Sequence, residues 1–586
     1  MEKSATISLC TLCDAAFAYH PELGSSQSTL DALRTGGVPD TEESIDIQDE
    51  IQRAEYELKR FDPEIDRLLA IVSRLRAQKG AVEEFLVHRR ACFSPQRRLP
   101  VELLRKIMVD ACTDSVLEYS ASAGVSHPVS YYTALSISQV NQRWRDIAHA
   151  TVEIWAPLLR VNFSNIPDRE TGKIVSDRVA VVLQHYFRLS GDTPFDIHFA
   201  SAPSGRIPRY FEGTNPALDN ILSTASRWKA CKLPYEQLAE IDHQLVHHTL
   251  HELVKVEIVP STMADAHVQN TNIIGFASTT KLRHWDGPIA STQLRWEQLT
   301  TLISMSRLPL AAWTPILQRC QHIEVLKMRV GDRHAEDALP AIQRIHLPRL
   351  EHIALHLADD PRALAYFFAC FDAPLLRVLQ LSAQQFLSSE LHMHFREEGW
   401  PHEQFDAFID RSGCNIRHLA LQMLPISCAD VTALLQRLPG LTNLQIMHTK
   451  RRDYLRGPTD VPDLTETFVN DDFLRQLIAD DGGEPALLPQ LKHLMLACLF
   501  RCDLALLADM VRSRVDAPIE TLRLHLAESS IAPSKEYIAG LFAQVGKGML
   551  LSQHRRYAVR EQMKWLRGED AEDLATIGHF PDFWGS

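Results

Sequence analysis

Three histidines, His243, His247 and His251, recur at every fourth position. On a helix that spacing sets three imidazoles on one face, which zinc uses when a further ligand and a dry pocket converge there. No HExxH pattern accompanies them, and in a chain with 26 histidines the alignment reads as a solvated helical face. Cys10-Thr-Leu-Cys13, with His20 downstream, has the spacing of two zinc ligands, but structural zinc needs four and no second pair follows nearby. Cys498 and Cys502 read as small apolar residues where a strand runs into its loop. The chain has no glycine-rich phosphate loop, nucleophile elbow or kinase motif. An enzyme is therefore the weakest class, and neither a metal nor a cofactor is expected.

Composition bounds the elements that position these residues. At 586 residues the chain is too long for one compact core and implies several domains or a repeat array. Its 61 basic and 74 acidic residues leave a net charge of −13, so the whole molecule lacks the positive field that general nucleic-acid binding needs. Eleven cysteines, mostly scattered singly, are not a secreted disulfide framework and read as reduced thiols. The longest apolar run, Ala363 to Phe371, is far shorter than the ~18 residues that span a bilayer. Asp14 also interrupts the N-terminal apolar stretch before a signal sequence forms. These features predict a cytoplasmic or nuclear protein that engages neither nucleic acid nor membrane.

The organising stretch is Ser94 to Trp155. Leu99, Leu103 and Ile107 recur every fourth residue, Leu104, Met108 and Ala111 widen the stripe, and Glu102, Arg105 and Lys106 take the wet side. Pro100 suits a first helical turn, where its missing N–H has no partner to lose. A second amphipathic segment, Leu135 to Ala148, carries Val140, Trp144 and Ile147, and Ile154, Trp155 and Leu158 close the unit. By themselves these residues predict a module of about three helices, each stripe buried against something.

The order Leu-Pro-x-Glu-Leu-Leu, then Ser138-Gln-Val-Asn-Gln-Arg-Trp-Arg-Asp-Ile-Ala148 and Ile-Trp155, resembles an F-box domain. It is similar in particular to fungal F-box proteins with a Ser-Pro-x-Arg-Arg lead-in. The resemblance implies docking on the Skp adaptor of an SCF ubiquitin ligase through Leu99, Pro100, Leu103, Leu104, Ile107, Val140 and Trp144. It departs from the family in a longer spacer between the halves, in Asn141 where Cys is frequent, and in Val152-Glu153 where a Pro commonly precedes Leu-Trp.

Upstream, apolar residues from Ile47 to Leu86 alternate steps of four and three with only Lys79 polar, the pattern of a coiled coil or long helical hairpin. Pro63 predicts a kink or restart, with Asp62 as N-cap. Self-association and packing back on a neighbouring domain both remain open for this seam.

Downstream the pattern L-x-x-L-x-L begins at Leu253, Ile323, Leu350, Leu376, Ile416, Leu441, Leu491 and Ile519. Several intervals are about 25 to 28 residues, the period of leucine-rich repeats, which the strands resemble. Pro194 to Phe199 and Trp228 to Leu233 read as weaker strands; Ala429 to Leu438 and Leu504 to Val515 read as covering helices. The Asn or Cys that the family places after the last apolar residue is missing, and Lys450 to Asp472 reads as a loop insertion.

The chain is thus expected to be α/β. It has a flexible arm over 1–43, a coiled-coil-like helical segment over 44–92, an F-box-like module over 94–158, an irregular leucine-rich-repeat-like solenoid over 159–552, and a C-terminal helix and tail over 553–586. Strand alternation turns the third and fifth motif residues outward as two columns. From them His352, Gln380, His418, Gln445, His493, Met495 and Arg523 are expected to bind a protein substrate, with His418 and His493 titrating at about pH 6 to 7. The implied function is a substrate receptor that links a protein to an SCF-type ubiquitin ligase. The alternative is a repeat scaffold that forms a homodimer or binds proteins without entering a ligase.

Overall fold

The computed structural model describes residues 5–9, 15–19, 27–120, 133–162, 169–200, 216–259, 272–289, 291–331, 342–358, 362–383, 400–422, 424, 426–447, 470–478, 487–498, 503–514, 519, 521–526 and 549–552. Cys10, Cys13, His20, Cys502, most of Lys450 to Asp472 and the tail over 553–586 lie outside the described residues. The chain is mixed α/β and divides into two compact units, Met1–Leu104 and Arg105–Ser586.

The first unit is built on one long helix. Strands β1 (Ala5–Ser8) and β2 (Ala16–Tyr19) pair antiparallel, and α1 (Gln27–Thr35) precedes the 51-residue α2 (Thr41–Ala91). Asp40 starts α2 with a capping box: its carboxylate accepts from the Glu42 and Glu43 N–H groups at 2.9 and 2.8 Å, and the Glu43 carboxylate accepts from Asp40 N at 3.1 Å. His88, Arg89 and Arg90 occupy the last turn, where cations complement the helix dipole.

Two expectations are corrected here. The described residues of the arm over 1–43 form a hairpin and a helix, and α2 continues through Pro63 as one helix without a restart at Asp62. The hairpin explains part of this. Phe17 packs on Phe61 with ring centroids 4.8 Å apart, and the Arg60 guanidinium sits 5.3 Å from the Phe17 ring while donating to Ala18 O at 3.0 Å. Glu57 is buried there and accepts from Arg60 at 2.8 Å. That cover, with the cap, offsets the roughly 3 kcal/mol an interior proline costs.

Helix α3 (Val101–Cys112) carries the boundary between the units. In the second unit follow β3 (Val116–Ser120), α4 (Thr133–Ser138), α5 (Gln142–His149), a 3-10 turn at Val152–Trp155, β4 (Leu158–Asn162) and α6 (Arg169–Ser190). Next come β5 (Phe195–Phe199), β6 (Trp228–Pro234), β7 (Lys255–Val259), β8 (His284–Asp286), β9 (Thr301–Leu308) and β10 (Val325–Val330). They continue as β11 (Ile345–His346), β12 (His352–Leu357), β13 (Phe371–Asp372), β14 (Val378–Ala383), β15 (His418–Gln422), β16 (Asn443–Met447), β17 (His493–Cys498), β18 (Thr521–Leu526) and β19 (Met549–Ser552).

Among the described residues these strands, except the small β11–β13 pair, join one fifteen-stranded sheet in which each strand lies parallel to the next in chain order. Parallel neighbours need a crossover, and helices supply several, among them Ala363–Cys370, His402–Ser412, Cys428–Gln436 and Leu504–Ser513. The apolar motif positions bury between sheet and helices, as at Leu326 and Met328, Leu379 and Leu381, and Leu444 and Ile446. Phe368 meets Phe405 at 5.1 Å and Phe367 meets Phe371 at 4.2 Å, so aromatics lock that layer.

Successive strands are also tied together by backbone bonds where they begin. From β7 to β17 one carbonyl at the start of each strand accepts two successive N–H groups of the next strand in the sheet. Glu324 O takes Glu351 N and His352 N at 3.0 Å each, and Arg377 O takes Arg417 N and His418 N at 2.8 and 3.0 Å. Thr442 O takes Lys492 N and His493 N at 2.8 and 3.0 Å in the same way.

All eight motif strands are present, as are the two weaker ones and both covering helices. Strands β3, β4, β8, β9 and β19 were not anticipated. Because β3 lies within 94–158 and pairs with β4, the sheet begins inside the stretch expected to be purely helical.

Candidate functional site

Pro100 lies just ahead of α3, and its carbonyl accepts the first helical bond from Leu104 N at 3.0 Å. The apolar stripe expected as one surface is split between two. Leu104, Met108 and Cys112 are buried, whereas Leu103 and Ile107, one turn apart, remain 51% and 48% exposed. Leu104, expected among the adaptor contacts, is thus a core residue. Successive residues lie about 100° apart around a helix, so neighbours with the same side chain face opposite fates. Leu99 is half-buried and Pro100 exposed.

Asn141 begins α5 by accepting Trp144 N on its Oδ1 at 2.9 Å. Ile147 and Ala148 then face the core, Val140 is exposed and Trp144 half-buried. Trp155 is buried and donates its indole N–H to Ala148 O at 2.8 Å, and Arg105 bridges to Glu153 at 3.1 Å. The 3-10 turn, α3 and α5 are thereby tied together without using Ile107 or Val140.

On the sheet, the two expected columns are in strict register. Val325, His352, Val378, His418, Asn443, His493 and Thr521 pair strand to strand, as do Lys327, Ala354, Gln380, Ala420, Gln445, Met495 and Arg523. Their exposure differs from expectation. Gln380 keeps 7% of its surface and Met495 1%, so neither is an open contact residue, and Met495 packs with Met447 in a buried pair. His352, His418, Gln445 and His493 are half-buried, and Arg523 is placed by its backbone register alone. Strands about 4.8 Å apart set side chains of one column close enough to shield each other.

Burial also lowers the titration expected of His418 at about pH 6 to 7. Burial first, then the Lys327 and His418 charges, pushes His352 down to about 3. His418 is lowered by burial, His493 and Arg417. His284 falls to about 4 and His356 to about 3, again mainly through burial, and His356 Nδ1 lies 2.9 Å from Ser382 Oγ. In the same columns Asp286 is pushed up to about 7 by burial and the Glu257 charge, and burial lowers Lys327 to about 8 against the pull of Asp286.

Four exposed residues that the two-column reading passed over complete this face. Glu324, Glu351, Arg377 and Arg417, all at the second motif position, line a groove of about 320 Å³ at the leading ends of β10, β12, β14 and β15 with Val325, His352, Val378 and His418. Two carboxylates followed by two guanidiniums make a groove of two signs, suited to a polypeptide carrying the opposite order of charge. Their signal was present in the sequence, as a charge column one residue ahead of the third-position column.

The helix bearing His243 ends at Leu245, so His243, His247 and His251 do not share one helical face, and all three are exposed. Among the described residues no group of three His, Cys, Asp or Glu side chains is placed to hold a metal ion, and no helix is long and apolar enough to cross a membrane. No protein-family model matches the chain, and neither does any curated protein.

Proposed function

We propose that this protein is the substrate receptor of an SCF-type ubiquitin ligase, with the stretch over 94–158 acting as an F-box that holds the Skp adaptor and the parallel sheet acting as a leucine-rich-repeat-like substrate platform. The observation that carries the reading is the pair Leu103 and Ile107, large apolar side chains left in water one turn apart within Leu-Pro-x-Glu-Leu-Leu. A soluble helix whose core face is already satisfied by Leu104 and Met108 has no internal use for them. Covering such a side chain contributes roughly 1.5 to 3 kcal/mol when it starts fully exposed, so two half-exposed anchors supply a substantial part of a micromolar association. The in-order parallel strands and the repeating carbonyl ladder support the repeat reading. The two-sign groove supports a protein or peptide substrate over a nucleic acid, which would need an unbroken Lys/Arg track.

Co-expression with the Skp adaptor tests the proposal. The adaptor co-purifies at stoichiometric ratio with the intact chain and not with one carrying Leu103→Asp and Ile107→Asp. Absence of the adaptor from the intact chain refutes it.

A further inference from the structure

Helix α2 carries an apolar seam that stays exposed along its second half among the described residues. We infer that Glu64–Val87 of α2 pairs with the same segment of a second copy as a parallel, in-register, two-stranded coiled coil. The inference rests on α2 alone and holds whether or not the adaptor binds.

Ile65, Val72, Lys79 and Leu86 take one heptad position (a), and Leu68, Leu75 and Val82 the other (d). All but the half-buried Leu68 are exposed along an unbroken helix. Ile65 and Val72 at a with Leu68 and Leu75 at d favour two parallel strands, and the single Lys79 at a fixes register and strand number. The seam and its apolar flanks Leu69, Ile71 and Phe85 present on the order of 800 Å² of surface per copy, the area each partner of a stable interface removes from water.

Charge selects both the segment and the direction. In a parallel pair each position before a faces the partner residue five further on. From Glu64 onward this gives Glu64 with Leu69, Ile71 with Arg76 and Gln78 with Glu83, with no like-charged pair. Ahead of Glu64 it gives Glu50 with Glu55 and Glu57 with Asp62, which repel, and there the β1–β2 hairpin already covers Phe61. An antiparallel pair centred on Val72 and Leu75 would press the Lys79 ammonium against Leu68. The parallel pair instead sets both Lys79 chains in one layer, from which each reaches water beside Glu83, 3.6 Å away on its own helix.

The test uses the full chain at about 50 µM, where a micromolar association is nearly saturated. Sedimentation equilibrium gives twice the 66.3 kDa protomer mass, and Leu75→Glu with Val82→Glu returns it to one protomer with unchanged circular dichroism. Cys92, the exposed thiol just beyond α2, is changed to Ser for a second measurement. In that background Leu75→Cys forms a covalent dimer on mild oxidation while the parent does not. A monomer before mutation, a dimer that survives the double Glu change, a trimer mass, or cross-linking only between a Leu68→Cys chain and a Lys79→Cys chain overturns the inference.

Discussion

Leu103 and Leu104 are consecutive on α3, yet one keeps half of its surface in water and the other none. Their substitutions must separate binding from folding. Leu103→Asp with Ile107→Asp leaves the unfolding midpoint nearly unchanged and removes adaptor capture. Leu104→Ala opens a cavity, costs about 2 to 5 kcal/mol, and lowers the midpoint while adaptor capture at low temperature persists. Thermal melts beside pull-downs decide it, and equal effects of both changes would mean that α3 has no distinct outer face.

The groove makes a prediction about charge. Arg377→Glu with Arg417→Glu turns a two-sign groove wholly acidic, and both side chains are exposed, so stability changes by no more than about 0.5 kcal/mol. Substrate capture falls at least tenfold while adaptor binding is retained. Capture that survives reversal places the substrate elsewhere.

Acid sensitivity follows from the buried histidines. His284, His352 and His356 titrate near 4, 3 and 3 in the folded chain against an ordinary value of 6.5. The unfolded chain therefore binds more protons below about pH 6.5, and the stability these groups contribute at neutral pH is lost as pH falls. Asp286, raised to about 7 from 3.8, acts in the opposite sense over about pH 4 to 7. With three groups against one, the unfolding midpoint falls from pH 7 to pH 5, and His352→Gln makes that slope shallower. A midpoint that rises on acidification would show the imidazoles to be solvated.

Pro63 supplies a prediction for the first unit. It is exposed and lies inside α2, so Pro63→Ala restores one helical hydrogen bond and stabilises the unit by up to about 3 kcal/mol. Calorimetry of the variant checks this. A lower midpoint would mean that the proline sets a bend the hairpin requires.

The sequence alone determined the positions and pairing columns of the motif strands from β10 to β18, because L-x-x-L-x-L commits its apolar side chains to one face and its recurrence sets each of these strands beside the next. It also determined the seam of α2, whose four-and-three spacing needs no distant partner to be legible. Other elements left too little local signal. Strand β8 is three residues, His284–Asp286, and is held by its neighbours on both sides rather than by its own propensity.

Tertiary structure alone decided burial on the second face of the sheet. Alternation tells which face Gln380, Met495 and His352 occupy but not how closely side chains of adjacent strands shield that face. Three residues that read as an open binding surface are therefore a buried amide, a packed thioether and an imidazole kept neutral. The same reason separates Leu103 from Leu104, and it carries α2 through Pro63. A periodic pattern ranks which residues prefer to leave water, whereas only the packed chain decides which of them find cover.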